Sequence, residues 1–250
     1  NGTMARVAHP NKTSLVKRML SDELPKSKFL SILVNFSAQT TVAQTQNIID
    51  GKLDKRRKGV FGPRAGKSAI IFVDDLNMPT VELYGAQPPV EILRQFLCDQ
   101  GWYDLVDKSW RNIINTQLLT AMGPPGGGRN DITPRIMRHF NFVCMVESNF
   151  GTLENIFTTI ANWNFQVKHN FPDSVSRLAG AVVSGTLTAY ETVKKKLLPT
   201  PLKSHYTFNL RDVSKIIQGI YLVRPSPAFE KTTLIRLWVH ETLRVLHDRL

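Results

Sequence analysis

The sequence predicts an α/β protein: a mostly parallel sheet with its covering helices, followed by a second part made of helices alone. Three observations point there. Short apolar runs without polar alternation occur at Phe29 to Asn35 (FLSILVN), Ser68 to Asp74 (SAIIFVD) and Phe140 to Val146 (FNFVCMV), the pattern of strands buried on both faces. Stretches of helical period separate them, as crossover helices separate parallel strands. After about Val146 the strand-like runs stop and only helical periods remain.

Each element follows from its own residues. Thr13 to Leu20 places Leu15, Val16, Met19 and Leu20 at helical spacing, ahead of the first apolar run. Thr41 to Leu53 carries Val42, Ile48, Ile49 and Leu53 close to one helical face and then meets the basic run Lys55 to Lys58. Ser68 to Asp74 is the clearest strand, and it ends on two acids, Asp74 and Asp75. Val90 to Cys98 reads as an amphipathic helix behind Pro88-Pro89, and Ile113 to Met122 as a further strand. In the second part, helices are expected over Leu153 to Ile160, Val175 to Tyr190, Leu210 to Tyr221 and Thr232 to Leu250. The change of texture at Glu147 to Gly151 sets a boundary, giving residues 1–147 and 148–250, with Pro199-Thr200-Pro201 and Pro225-Ser226-Pro227 as loops of the second part.

Composition narrows the function classes. At 250 residues and 42% hydrophobic, the chain can bury a core, which excludes general disorder. Its 32 Lys and Arg outnumber 20 Asp and Glu, and the formal charge of +12 points to a polyanionic partner. The basic runs Lys55 to Lys58 and Lys194 to Lys196 lack the interleaved aromatics that stack on bases, so they read as solvated faces. Two cysteines, Cys98 and Cys144, exclude a disulfide framework and a four-cysteine zinc site, and suit a reducing compartment. No stretch approaches the roughly 18–20 apolar residues of a membrane span. The expected setting is the cytoplasm, with neither nucleic acid nor membrane as partner.

The strongest chemical signal is the buried strand ending in Asp74-Asp75. At the carboxyl end of a parallel strand, the first acid can hold Mg²⁺ and the second can polarise a water attacking a γ-phosphate. The usual second acid is Glu; Asp75 is one methylene shorter. Such a strand needs a phosphate loop upstream. Gly62 to Ser68 (GPRAGKS) imitates one, but its glycine spacing is one residue short and it feeds a strand, whereas a phosphate cradle must open a helix. Lys12-Thr13 does open a helix, yet Arg6 and Asn11 stand where the loop needs glycine. Beyond these, Ala121 to Asp131 (AMGPPGGGRND) is a glycine-rich loop at a strand end, and Arg135 and Arg138 share a helical face from which an arginine could reach a neighbouring subunit's phosphate.

Several strings together resemble a known family. Asn35 to Thr40 (NFSAQT), Lys52 to Pro63 (KLDKRRKGVFGP), Phe72 to Pro79 (FVDDLNMP), Tyr84 to Pro89 (YGAQPP), Gly126 to Asn130 (GGGRN), Phe208 to Asp212 (FNLRD) and Leu237 to Glu241 (LWVHE) resemble the dynein heavy chain, specifically its third AAA+ module in an axonemal, inner-arm-like form. The likeness runs from about Lys12 to Leu250. It implies an AAA+ P-loop NTPase-type sheet followed by a small all-helical lid, in a ring of modules that couples ATP to movement along microtubules. It implies further that Lys12 and Thr13 end the P-loop and bind nucleotide, Thr13 and Asp74 hold Mg²⁺, Asp75 is the catalytic acid, Arg138 acts in trans, and Arg211 is the lid arginine that contacts nucleotide. Gly123 falls where other modules carry a polar sensor residue. The implied partners are neighbouring AAA+ modules, and dynein intermediate and light chains and microtubules through the rest of the parent chain. The implied location is the cytoskeleton of the cilium axoneme.

The family's sheet order is 5-1-4-3-2, and the likeness stops before Lys12, so residues 1–11 are expected to be foreign to the family and the interior first strand to be missing. Two readings stay open. One is a regulatory ATP-binding module whose hydrolysis is weak or absent in the isolated chain; the other is a non-catalytic scaffold that lost nucleotide binding with its glycines.

Overall fold

The computed structural model describes residues 2–7, 12–126, 128–145, 148–200, 203, 205–225 and 230–250. The chain forms two compact units, Asn1–Glu147 and Ser148–Leu250. In the first, the elements are β1 (Gly2–Val7), α1 (Lys12–Arg18, running into a π-helical turn Met19–Glu23), β2 (Phe29–Asn35), α2 (Val42–Asp50), β3 (Asp54–Arg57), β4 (Val60–Gly62), β5 (Ser68–Asp74), α3 (Pro88–Asp99), β6 (Gly101–Tyr103), β7 (Trp110–Ile113), β8 (Thr116–Met122), α4 (Pro134–Met137) and β9 (Phe140–Met145).

Five strands make a parallel sheet in the order β2-β5-β8-β1-β9. Burial explains why β5 is the most apolar of them. Ala69, Ile71 and Val73 face a core supplied by Ile49 of α2 and by Val90, Leu93 and Phe96 of α3, while Phe72 packs on the other side with Leu20 and Ala121. Both faces are dry, so neither selects polar residues.

The sheet contains its first strand, which corrects the expectation of a missing one. β1 lies between β8 and β9, with Thr3 opposite Leu119 and Asn141 and Ala5 opposite Ala121 and Val143. Its sequence, GTMARV, has no apolar run to announce it; what places it is main-chain pairing along both edges, which needs no particular side chain. Two further expectations change with it. The strand read over Ile113 to Met122 is divided at Asn115, which takes a left-handed φ of 54°, so that β7 ends and β8 begins in different sheets; asparagine tolerates that conformation better than most residues. The run at Phe140 to Val146 is an edge strand with Phe142 and Val143 42% and 51% exposed, not a buried one.

A second, four-stranded sheet, β3-β4-β7-β6, was not expected. The basic run supplies β3, whose residues stay largely in solvent, and charged side chains carry no strand signal of their own. Its base is a partly buried network: Arg111 bridges Asp50 (3.1 Å) and Asp104, and Trp102 Nε1 donates to Asp50 Oδ1 at 3.1 Å. β4 pairs with β7, and their continuations β5 and β8 pair again in the main sheet. The same two segments therefore run side by side through both sheets.

Helices are the only regular elements among the described residues of the second unit. It comprises α5 (Phe150–Asn162, extended by a π-helical turn Trp163–Lys168), α6 (Asp173–Ser176), α7 (Ala179–Lys196), α8 (Leu210–Tyr221), and α9 (Lys231–Leu246, closed by a 3-10 turn). The helix expected over Val175 to Tyr190 is thus broken at Arg177-Leu178. Asn209 and Asp212 form a capping box that starts α8. The core gathers Phe165, Val175, Val183, Leu187, Val213, Ile216 and Leu234. Among the described residues no helix is long and apolar enough to cross a membrane.

Candidate functional site

Parallel order brings the carboxyl ends of β2, β5, β8 and β1 to one edge, because Asn35 is level with Asp74 and Asp74 with Ala121. In open α/β sheets this edge is where ligands bind. α1 begins there, and its Thr13 Oγ1 donates to Asp74 Oδ1 at 2.9 Å. Asp74 is 7% exposed. Its Oδ1 also accepts from the Asp75 amide at 3.1 Å, at the point where Asp75 takes a left-handed φ of 52° and turns the chain out of the strand. A hydroxyl and a carboxylate thus converge at the mouth of a helix, both of them the hard oxygen donors that Mg²⁺ prefers.

Loops on either side hold this edge in shape. Asn77, fully buried, donates from Nδ2 to the Gly123 carbonyl at 2.9 Å, and its own carbonyl accepts from the Asn130 amide at 2.9 Å. Asn130 and Gln87 both donate side-chain N–H groups to the Pro79 carbonyl at 2.8 Å. Within the glycine-rich loop, Gly126 and Arg129 exchange two backbone hydrogen bonds, with Gly126 and Gly128 at φ of 110° and 84°. This turn folds the loop back, and Arg129 Nη2 lies 3.6 Å from Asp75 Oδ1. Lys17 Nζ reaches Asn35 Oδ1 at 3.4 Å.

The structure brings together Thr13, Asp74 and Asp75 from the expected set. Lys12 opens α1 beside them. Arg6 stands within β1, not in a loop, and Asn11 lies outside the described residues. Arg138 belongs to the opposite edge. Asp74 is level with Ala121, Ala5 and Val143 in successive strands, so Phe140 at the start of β9 is three residues and three strands away. At roughly 3.3 Å per residue and 4.8 Å per strand, that is about 17 Å. Arg138, exposed, instead donates from Nε to His139 Nε2 at 3.2 Å, and His139 also meets Cys98 Sγ at 3.3 Å. Burial, and then the guanidiniums of Arg138 and Arg94, push the His139 imidazole below its usual pKa. Arg211 is in the second unit, exposed in the first turn of α8, where its amide donates to Asn209 Oδ1 at 2.8 Å.

Sequence reasoning assigned no role to Arg129, Asn77 or Lys17. Arg129 carried one usable signal, an isolated charge directly behind three glycines; Asn77 and Lys17 stood only within longer strings and carried none of their own.

Comparison with known proteins agrees with the geometry. Residues 10–148 match the model of the P-loop containing dynein motor region, and residues 158–250 that of the dynein heavy chain ATPase lid domain. The chain is 50% identical over 239 residues to dynein axonemal heavy chain 12 of Mus musculus, covering 96% of this chain and 8% of that protein. It is 46% identical over 244 residues to dynein axonemal heavy chain 1 of Homo sapiens (92% and 6%), and 48% identical over 227 residues to dynein axonemal heavy chain 3 of Homo sapiens (91% and 6%). It therefore spans less than a tenth of the length of each relative.

Proposed function

Because the chain belongs to the family of P-loop containing dynein motor regions, of the axonemal kind, we propose that its first unit binds ATP with Mg²⁺ as the regulatory third AAA+ module of a microtubule motor. The observation that carries this reading is the 2.9 Å hydrogen bond between Thr13 and Asp74. This bond sets the start of α1 beside the end of β5, and a helix start favours anions through its free N–H groups and its dipole. Lys12 adds the positive charge that such a loop places near the outer phosphates.

Thr13 and Asp74 are the residues that would hold Mg²⁺, which when bound neutralises phosphate charge. Asp75 is the acid that would orient a water, but its side chain is one methylene shorter than the usual Glu, so slow turnover is the expected behaviour. Arg138, two residues before the start of β9, serves the nucleotide of an adjacent module, and Arg211 is the lid arginine that addresses nucleotide. Neighbouring ring modules are the direct partners. Microtubules and the intermediate and light chains are reached through the parent protein, in the cytoskeleton of the cilium axoneme.

A second reading, a scaffold without nucleotide, is favoured by the sequence motif, where Asn11 replaces the glycine before Lys12 and Arg6, now within β1, replaces the other. Titration of the purified chain with a fluorescent ATP analogue decides between them. Magnesium-dependent binding that weakens about tenfold or more in Thr13→Ala, the scale for losing a charge-assisted contact, supports the ATP module. Absence of binding at millimolar nucleotide supports the scaffold.

A further inference from the structure

The acid pair has a cationic neighbour, and a missing side chain explains its position. Gly123 follows β8 beside the end of β5. A Cβ added there would lie 2.8 Å from Arg129 Nε, 2.9 Å from Cδ and 3.2 Å from Cζ. The guanidinium therefore fills the space that any other residue at 123 would claim. Nothing else anchors its inner side, since Nε is buried without a hydrogen-bond partner. A buried donor of this kind asks for an explanation, and shape supplies it: the Gly126–Arg129 turn presses the head group against Gly123 and leaves its Nη edge facing outward.

That outer edge is loosely engaged. The Nη2 to Asp75 Oδ1 separation of 3.6 Å exceeds the roughly 2.7–2.9 Å of a charge-assisted hydrogen bond. Both side chains are more than a third exposed, at 38% and 37%, and exposed pairs of this kind contribute little. A phosphate group offers the guanidinium fork a better match than one distant carboxylate oxygen does.

We propose that Arg129 is the residue by which this site tells a nucleoside triphosphate from a diphosphate. Its Nη groups leave Asp75 for the oxygens of the terminal phosphate, and return to Asp75 when only a diphosphate is bound. The placement is specific: Arg129 stands beside the second acid, and the second acid is the one that addresses the terminal phosphate. The exchange also separates Asp75 from Arg129 only when there is a terminal phosphate to act on. The inference rests on Thr13 and Asp74 marking the magnesium–phosphate site.

Dissociation constants of fluorescent ATP and ADP analogues, measured with Mg²⁺ on the full chain and its variants, test it. Arg129→Gln is expected to weaken the triphosphate by about tenfold to a hundredfold, the range for losing a charged hydrogen bond, with the diphosphate within about twofold. Gly123→Ala keeps the arginine but drives it from its seat, and is expected to reproduce that selective loss; Arg129→Lys, with the charge but no fork, falls between. Unchanged far-UV circular dichroism and unfolding midpoints establish that each variant is folded. Equal weakening of both nucleotides in the glutamine and glycine variants, or of neither, overturns the role of Arg129 while Thr13→Ala still lowers both affinities. A wild-type chain that binds neither nucleotide removes the site reading as well.

Discussion

Phe72 and Phe142 are the same residue on two strands of one sheet, and replacing each by alanine tests the architecture directly. Phe72 is fully buried on β5 and packs with Leu20 in the π-helical turn after α1 and Ala121 on β8, a cluster that Val16 of α1 joins. An aromatic ring of this kind buries roughly 150–200 Å², and at about 25 cal/mol/Å² its removal costs about 4–5 kcal/mol, in line with the 3–5 kcal/mol typical of Phe→Ala in cores. Phe142 sits on the edge strand β9 and is 42% exposed, so its truncation costs about 2–3 kcal/mol on the same scale. Urea unfolding followed by far-UV circular dichroism, with the slope held common, gives both values. Equal costs would refute the assignment of β9 to the edge and, with it, the interior place of β1. A further consequence separates Phe72 from a generic core residue. It fastens the face of α1 to β5, and α1 carries Thr13 to Asp74, so nucleotide affinity falls with Phe72→Ala and not with Phe142→Ala.

Two more outcomes follow from charge. Arg111→Ala strips the cation from Asp50 and Asp104, whose side chains are 15% and 7% exposed, and is expected to cost about 3–5 kcal/mol at neutral pH; because burial already raises the Asp50 pKa, the deficit shrinks as pH falls toward 4 and the carboxyl takes up its proton, which unfolding curves at several pH values will show. His139 is held below its ordinary pKa, so the unfolded chain binds its proton first; stability is full above about pH 6.5 and declines as pH falls toward the folded-state pKa, and in a plot of urea midpoint against pH His139→Gln flattens that slope.

How much of this was legible depended on what holds each element in place. Ser68 to Asp74 could be read outright, because a strand covered on both faces is written as an unbroken apolar run. β1 could not, because its position comes from backbone pairing with β8 and β9 and GTMARV carries no such run. The second sheet was hidden for the same reason, with lysines and arginines on an exposed strand. At the site, Thr13, Asp74 and Asp75 were readable from a helix start and a strand end. Arg129 was not, since its place depends on a side chain that Gly123 lacks, and sequence spacing says nothing of a space left empty six residues earlier.

The double pairing of β4–β5 with β7–β8 gives the first unit a mechanical property. The segment ending in Asp74 and the segment ending in Gly123 are bonded to each other in the small sheet and again, beyond the loop at residues 63–67, in the main sheet up to its edge. A pull on the small sheet moves the two ends as one cable and does not slide one past the other. Load applied there tilts or lifts the site while the acid, the glycine and the arginine seated on it keep their spacing, so strain from outside changes where the phosphate edge points before it changes what that edge can grip.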